Sequence, residues 1–387
     1  MDDLAATILI ALVVVFAGLL YYVYDGYLRL LRVINHFSSP PDHVAAPAEL
    51  PTVAVVIAVH NEVHQIVERV RNVLDQDYPE GLLDIVVASD GSTDDLADVL
   101  TEHFGERVRL VHTDHRVGKS TIQNQAVDSI RASILLFSDA DTRFGPGFLT
   151  AVVAPFASAS VGAVQAHLLF VPADASSTVV GQARYWRAEL EIRRLEANLG
   201  ILAVASGACI AVRRELWRPL DPRVGDDCMI PLDVVSQSKT LAYADQAIAH
   251  EPADAEFDHL VSTRARMTLR NWQGTWSRAA LLNPFAHPGY AFALWSHKIL
   301  RWLSPIWLLG LTISAAALLF AGSAPVRFLP AVTMGVFYSL ALIGALARTR
   351  SRRVPIATAI YSFVLANLGF LSGLMKAARG GTISRYR

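Results

Sequence analysis

The sequence predicts an α/β protein in which a mostly parallel sheet domain is carried between N- and C-terminal transmembrane helices. Three observations predict it. Residues 5–24, 303–321, 329–347 and 356–375 are nearly free of charge over the roughly 20 residues that cross about 30 Å of hydrocarbon. Between the first and second of these, short apolar runs alternate with helix-spaced segments, the β-α-β-α order of a parallel sheet. The 53% hydrophobic content exceeds what a soluble core absorbs, so the excess needs a second apolar phase.

Residues 1–37 form the first anchor. It opens with Asp2 and Asp3 and is followed by Arg29 and Arg32, the charge order of an uncleaved helix with its N-terminus outside rather than of a secretory leader. Residues 38–52, rich in proline and alanine, form a linker. The soluble domain is expected over 53–283. Runs at 53–59, 83–88, 108–111, 134–137 and 161–165 predict buried strands, and 63–74, 94–104 and 120–130 carry helical spacing. Residues 179–198 place Tyr185, Trp186, Leu190, Ile192 and Leu195 among many charges, which predicts an amphipathic helix. Residues 201–212 predict a strand with a bulge at its small residues.

Residues 284–302 mix aromatics with His297, Lys298 and Arg301 just before an apolar segment, so they predict interfacial helices anchored among lipid headgroups. Residues 303–387 form the C-terminal membrane region. Arg348, Arg350, Arg352 and Arg353 place the loop after the third span in the cytoplasm together with the domain. Lys376, Arg379, Arg385 and Arg387 would lie outside if the fourth segment crossed fully. Either that segment bends back or lies in the interface, or the charge rule yields there.

A formal net charge of −1 and the lack of a basic, aromatic-interleaved array exclude nucleic acid as a partner. Two cysteines, Cys209 and Cys228, cannot build a disulfide framework or a zinc site, in keeping with a reducing compartment. Gly118-Lys119-Ser120-Thr121 is not a phosphate-binding P-loop, because that motif needs glycine at position 113 and Thr113 stands there. No repeat is visible, which disfavours a solenoid.

In parallel sheets ligands sit beyond the carboxyl ends of the strands. There the chain carries His60-Asn61-Glu62, then Ser89-Asp90-Gly91-Ser92-Thr93-Asp94-Asp95, then Ser138-Asp139-Ala140-Asp141. Helix capping accounts for Thr93 or Asp94. Asp139 and Asp141 would repel each other in a half-buried site unless a cation offset them. Hard oxygen ligands of this kind suit Mg²⁺ or Mn²⁺ shared with phosphate oxygens. Lys119 is a candidate for a donor phosphate, with a solvated helix-terminal lysine as the alternative. Ser206, Gly207 and Ala208 would let a substrate approach closely, or only mark the bulge. In Gly225-Asp226-Asp227 one aspartate suffices to cap a helix, and the other is the candidate general base. Arg270 could neutralise a leaving diphosphate and Trp272 support a sugar ring.

Taken in order, residues 55–62, the Asp-Gly-Ser-Thr-Asp run at 90–94, Gly118-Lys119, Asp139-Ala140-Asp141, Ser206-Gly207-Ala208 and Asp226-Asp227 resemble the family 2 glycosyltransferases of GT-A fold. This fold is a Rossmann-like, mostly parallel sheet. The flanking helices and Ser296-His297-Lys298 resemble the membrane-bound bacterial branch, akin to exopolysaccharide, cellulose, chitin and hyaluronan synthases. The resemblance implies an inverting transferase that uses a nucleotide-sugar, UDP-linked by analogy, and a lipid-linked or polysaccharide acceptor at the inner leaflet. It implies donor binding by Ala58, His60, Glu62, Asp90, Lys119, Asp139, Arg270 and Trp272, a metal on Asp139 and Asp141, acceptor contacts from Ser206, Gly207 and Ala208, and Asp227 as base beside Asp226. Ser89 stands where many members have a first aspartate. Asn271 separates Arg270 from Trp272, unlike the Gln-x-x-Arg-Trp of processive synthases. Single addition is therefore the first reading, a processive synthase the second, and an inactive membrane scaffold the third.

Overall fold

The computed structural model describes residues 2–38, 49–172, 177–253, 260–321, 327–350 and 354–381. Among the described residues eight strands form one sheet: β1 (Val53–Val59), β2 (Leu83–Ser89), β3 (Arg109–His112), β4 (Ile134–Asp139), β5 (Arg143–Phe144), β6 (Val161–Pro172), β7 (Cys209–Arg213) and β8 (Thr240–Ala253). Their order is β3-β2-β1-β4-β7-β6-β8-β5. β5 and β7 run against the other six, so the sheet is mostly parallel, as expected. β1 explains the pattern. Val53, Val55, Ile57 and Val59 pack on one face against Ile66, Val70 and Val73 of the helix Val63–Leu74. Ala54 and Val56 face Ile122 and Ala126 of the helix Lys119–Asp128. Both faces are covered, so the strand is apolar at every position rather than at alternate ones.

The expected strand at 201–212 is confined to β7. Residues 201–206 stay irregular because their N–H groups are spent on side chains and a helix end: Ile201 N on Glu196 O at 2.9 Å, Ala203 N on Glu196 Oε2 at 3.2 Å and Ser206 N on Gln165 Oε1. β6 runs seven residues past its expected end, and β8 was not expected at all. The two pair in parallel over most of their length, with register irregularities at Val161/Ala163 and Ala166/His167.

Among the described residues, four helices are long and apolar enough to cross a membrane. The first does not stop at residue 24. It passes through a π-turn at Tyr22–Gly26 and continues to Phe37. This continuation lies on the helix Ser177–Asn198, where Arg32 donates twice to Glu191 at 2.7 Å and Asn35 Nδ2 donates to Leu195 O. Ile192 and Leu195 share an apolar cluster with Tyr27 and Leu31. The helix Ser304–Ala321 packs on the first one so closely that a Cβ on Gly310 would lie 2.6 Å from the Phe16 ring.

The helix Pro355–Ala378 keeps its second half against the helix Leu260–Ser277. A Cβ on Gly369 would lie 2.6 Å from Arg264 Cβ, and one on Gly373 would lie 2.7 Å from Ala265 O and from Thr268 Cβ. Gln273 Nε2 donates to Gly381 O at 2.7 Å. Lys376 and Arg379 therefore stay with the sheet domain, whereas Arg385, Arg387, Arg352, Arg353 and most of the expected linker lie outside the described residues.

The region expected to anchor in lipid headgroups behaves differently. Residues Pro288–Leu294, a π-turn at Trp295–Ile299 and Leu300–Trp302 form successive helical turns in which His297 and Arg301 are buried and Lys298 is half-buried. His297 is 0% exposed, with Nδ1 2.9 Å from Glu196 Oε1 and Nε2 3.0 Å from Glu189 Oε1. Glu189 also accepts from Arg301 NH1 at 2.8 Å and Arg193 NH2 at 3.1 Å, while Glu196 accepts from Tyr27 OH at 2.8 Å. Burial alone would raise the Glu189 carboxyl, but His297, Arg301 and Arg193 hold it well below the usual range. A buried network of this kind survives only when each charge has a partner. Here it joins the N-terminal helix, the helix Ser177–Asn198 and the 288–302 turns.

Candidate active site

The strand register brings the acidic residues to one edge. Val59 pairs with Ser89 and Ala58 with Asp139, so β1, β2 and β4 end level with one another. β7 runs the other way, which returns its N-terminal flank, Ser206-Gly207-Ala208, to that same edge. β5 pairs antiparallel with β8, Arg143 opposite His250, and one further step along this register sets Glu251 beside Thr142. Asp139, Asp141 and Glu251 each offer a carboxylate oxygen within 4.8 Å of the others. Burial and Asp139 push the Asp141 carboxyl above its usual range. Three half-buried carboxylates of a hard donor set fit Mg²⁺ or Mn²⁺.

A buried cation lies beneath this cluster. Arg69, 0% exposed, donates through NH2 to Ser138 Oγ at 2.8 Å and through Nε to Asp139 O at 3.3 Å. Its guanidinium sits 4.0 Å above the Phe144 ring. Burial and Arg143 press its pKa down to about 9, so it stays charged at neutral pH.

Lys119 joins the two halves of the edge. Its Nζ donates to Asp139 Oδ1 at 2.6 Å and lies 3.4 Å from Asp226 Oδ2. Asp90 shapes the loop that delivers it, because Asp90 Oδ1 accepts from Val117 N at 2.6 Å and Gly118 N at 2.9 Å. Gly91 must be glycine there: its φ is +63°, and a Cβ would fall 2.5 Å from His115 C. His60 Nδ1 lies 2.8 Å from Asp90 O. Asn61, in the left-handed region, receives Thr93 N–H on Oδ1 and gives its own N–H to Ser92 Oγ. Glu62 ends this loop, accepts from Gln65 and adds to the negative field on Asp141.

Asp226 and Asp227 open the helix Asp226–Ser236, whose N-terminus favours negative charge. Asp226 is 4% exposed, accepts from Gln123 Nε2 at 2.8 Å on Oδ2 and from Asp227 N at 3.0 Å on Oδ1, and lies so near Gly207 that a Cβ there would be 2.4 Å from Oδ1. Burial would raise its carboxyl, yet Lys119, Gln123 and the Asp227 N–H outweigh it and hold it below the usual range. For Asp227, burial and then Asp226 push the carboxyl up, against Arg270 and Lys298. Arg270 NH2 reaches within 3.9 Å of where a Gly225 Cβ would stand.

Not every expected site residue joins this group. Trp272 sits among Trp276 and Trp302, with ring centroids 5.7 and 6.0 Å away, in the apolar cluster under the 288–302 turns. Ala208 is part of the sheet core. Among the residues that sequence reasoning missed are Glu251, Gln123 and Lys298. Lys298 lines a small cavity of about 20 Å³ together with Asp227, Asn271, Leu294 and Trp302.

The sheet order and its acidic edge define the GT-A class of glycosyltransferase folds. The chain belongs to the glycosyltransferase-like family 2, whose model matches residues 51–269. It is 26% identical over 170 residues, 43% of this chain and 36% of the relative, to a beta-monoglucosyldiacylglycerol synthase of Nostoc sp.. It is 25% identical over 229 residues, 55% of this chain and 53% of the relative, to an N-acetylglucosaminyltransferase of Neorhizobium galegae. The matches thus span between about a third and a half of these curated relatives. In fold it is similar to a mannosyltransferase of Pyrobaculum calidifontis in complex with GDP-Man and Mn²⁺, with a TM-score of 0.72, 22% identity, and coverage of 97% of this chain and 99% of the other.

Proposed function

We propose that the protein is an inverting, metal-dependent glycosyltransferase that moves one sugar from a nucleotide-sugar to a hydroxyl of a membrane lipid, on the cytoplasmic face of a bacterial plasma membrane. The observation that carries this reading is Lys119 spanning Asp139 and Asp226. It ties the cluster suited to a cation and diphosphate to the carboxylate pair suited to proton transfer, as a single displacement requires. Asp139, Asp141 and Glu251 would hold Mg²⁺ or Mn²⁺, which when bound supplies positive charge to the departing diphosphate. Asp227, with its carboxyl raised, accepts the proton of the acceptor hydroxyl. The acceptor oxygen bonds to the anomeric carbon as the bond to the donor phosphate oxygen breaks, and the electron pair leaves with the nucleotide. Arg270 lies beside the Gly225–Asp227 turn and can offset that charge.

The lipid acceptor is supported by four helices suited to a membrane, by the cavity at Asp227 opening among Leu294 and Trp302 of the turns that lead into one of them, and by the diacylglycerol named for one relative. The arrangement of the last helix, whose second half lies along the sheet domain, supports a position at the inner face. There its charges obey the positive-inside rule.

The test is thermal unfolding of the purified protein with a panel of nucleotide-sugars, with and without Mn²⁺. One donor should raise the midpoint only with the metal, since a ligand at 100 times its Kd adds about 2.7 kcal/mol. If no nucleotide-sugar moves the midpoint under any metal condition, the reading fails.

A further inference from the structure

Lys119 is a cation where the backbone disfavours one. It opens the helix Lys119–Asp128, and a helix N-terminus carries partial positive charge of its own. The turn around it is fixed from both sides. Asp90 Oδ1 binds the N–H groups of Val117 and Gly118, Ser120 Oγ donates to Val224 O at 2.8 Å, and Gln123 Nε2 donates to Asp226 Oδ2 at 2.8 Å. A change of partner at Lys119 is therefore a movement of its side chain and not of the helix. Where a residue breaks a local electrostatic rule in a turn held this firmly, a functional role is the expected compensation.

What the ammonium touches defines that role. Lys119 Nζ lies 2.6 Å from Asp139 Oδ1 and 3.4 Å from Asp226 Oδ2, the three side chains being 19%, 32% and 5% exposed. Asp139 is also one of the three carboxylates that converge within 4.8 Å and would hold the divalent cation. One carboxylate thus serves two cations. In a place this sheltered from water their repulsion is weakly screened, so each loosens the other's hold on Asp139. A diphosphate changes the balance, because its oxyanions offer the ammonium several acceptors at once. When the lysine turns to them, Asp226 keeps Gln123 and the Asp227 N–H, so that buried carboxylate retains its hydrogen bonds.

We infer that Lys119 competes with the divalent cation for Asp139 and so makes tight metal binding depend on the diphosphate of the donor, which rests on the transferase reading above. The cation alone binds against the ammonium. With the diphosphate present the ammonium pairs with phosphate oxygens, Asp139 is given over to the cation, and the two ligands tighten one another by the same factor. A lysine that only contacts phosphate makes a different prediction: its removal leaves the affinity for the metal alone unchanged.

The experiment titrates Mn²⁺ onto the purified full chain in detergent micelles and follows free Mn²⁺ by electron paramagnetic resonance, with and without UDP, GDP or ADP. The wild type is compared with Lys119→Met, Lys119→Gln and Lys119→Arg, each shown to be folded by circular dichroism; with two neutral variants, the test survives the misfolding of one. In the wild type one nucleoside diphosphate should tighten Mn²⁺ by about tenfold or more. A neutral variant should bind Mn²⁺ alone more tightly by about fivefold, the upper range for a partly exposed ion pair, and gain correspondingly less from the nucleotide. Lys119→Arg should stay near the wild type. Unchanged or weaker binding of Mn²⁺ alone in a folded neutral variant overturns the inference, and if the nucleotide still tightens Mn²⁺ the transferase reading stands. Mn²⁺ binding to none of the proteins, with no nucleotide moving the unfolding midpoint, rejects both.

Discussion

Asp226 and Asp227 are neighbours with opposite fates. The first is paired with Lys119 and Gln123 and held low, and the second is half-buried and pushed up. Asp227→Asn should therefore lower kcat by about 10²- to 10⁴-fold, the usual worth of a general base, while metal-dependent donor affinity stays within a few fold. A parallel loss of donor affinity would assign Asp227 to the donor instead. The same change should raise stability. A carboxyl whose folded pKa is raised loses stability as pH climbs from the unfolded value, about 3.9, through the folded one. The variant should thus have a higher Tm than the wild type at neutral pH, with the difference vanishing in acid, as a pH series of melts would show. Asp226 behaves inversely: what it contributes is present above about pH 4 and is lost only as pH falls through its lowered folded pKa. For the metal, Asp141→Ala and Glu251→Gln should each weaken donor binding in Mn²⁺ by at least tenfold. Calorimetric titration showing unchanged affinity for Glu251→Gln would confine the site to Asp139 and Asp141. Glu251 was not legible in the sequence, because its meaning comes from β5 folding back on β8, a two-residue pairing that leaves no periodic signal.

Among the elements, the helix Val63–Leu74 and strand β1 were legible to the residue, and β2, β3 and β4 to within two. Each is short, bounded by turn residues and apolar for one reason only. The 201–212 segment misled because its apolar composition says that it is buried, not that its N–H groups pair with a neighbouring strand. His297 and Arg301 misled for a related reason: a charge run before a long apolar helix is normally solvated, and only Glu189 and Glu196, within 3.0 Å in space but about a hundred residues away in sequence, reveal that these two are buried. The contact between Gly373 and the helix Leu260–Ser277 makes a test at this scale. Gly373→Leu must part the two helices at Ala265 and Thr268, costing about 1–3 kcal/mol as overpacking does, and should shift Arg270 away from Asp227. The expected readout is a lower Tm with kcat reduced more than donor affinity. Unchanged kcat would show that the last helix does not brace the site.

For the molecule as a whole, the four apolar stretches were evident from composition, and the direction of the last was not, since a full crossing and the charge rule place its basic tail on opposite sides. Packing of Gly369 and Gly373 on the sheet domain predicts that a single cysteine placed at Arg379, in a background lacking Cys209 and Cys228, is labelled by an impermeant thiol reagent from the cytoplasmic side only. Labelling from outside would mean a full crossing. The same topology predicts protease access to residues 173–177 from the cytoplasmic side only, a segment of which 173–176 lie outside the described residues.

The cavity at Asp227 is lined in part by the turns that run into a helix long and apolar enough to cross a membrane, whereas the carboxylates suited to the sugar nucleotide lie at the strand ends. Under the proposed function, the two reactants arrive by separate doors, one from bulk water and one by lateral diffusion. Turnover should then follow the mole fraction of acceptor within the vesicle and be indifferent to how many vesicles are suspended.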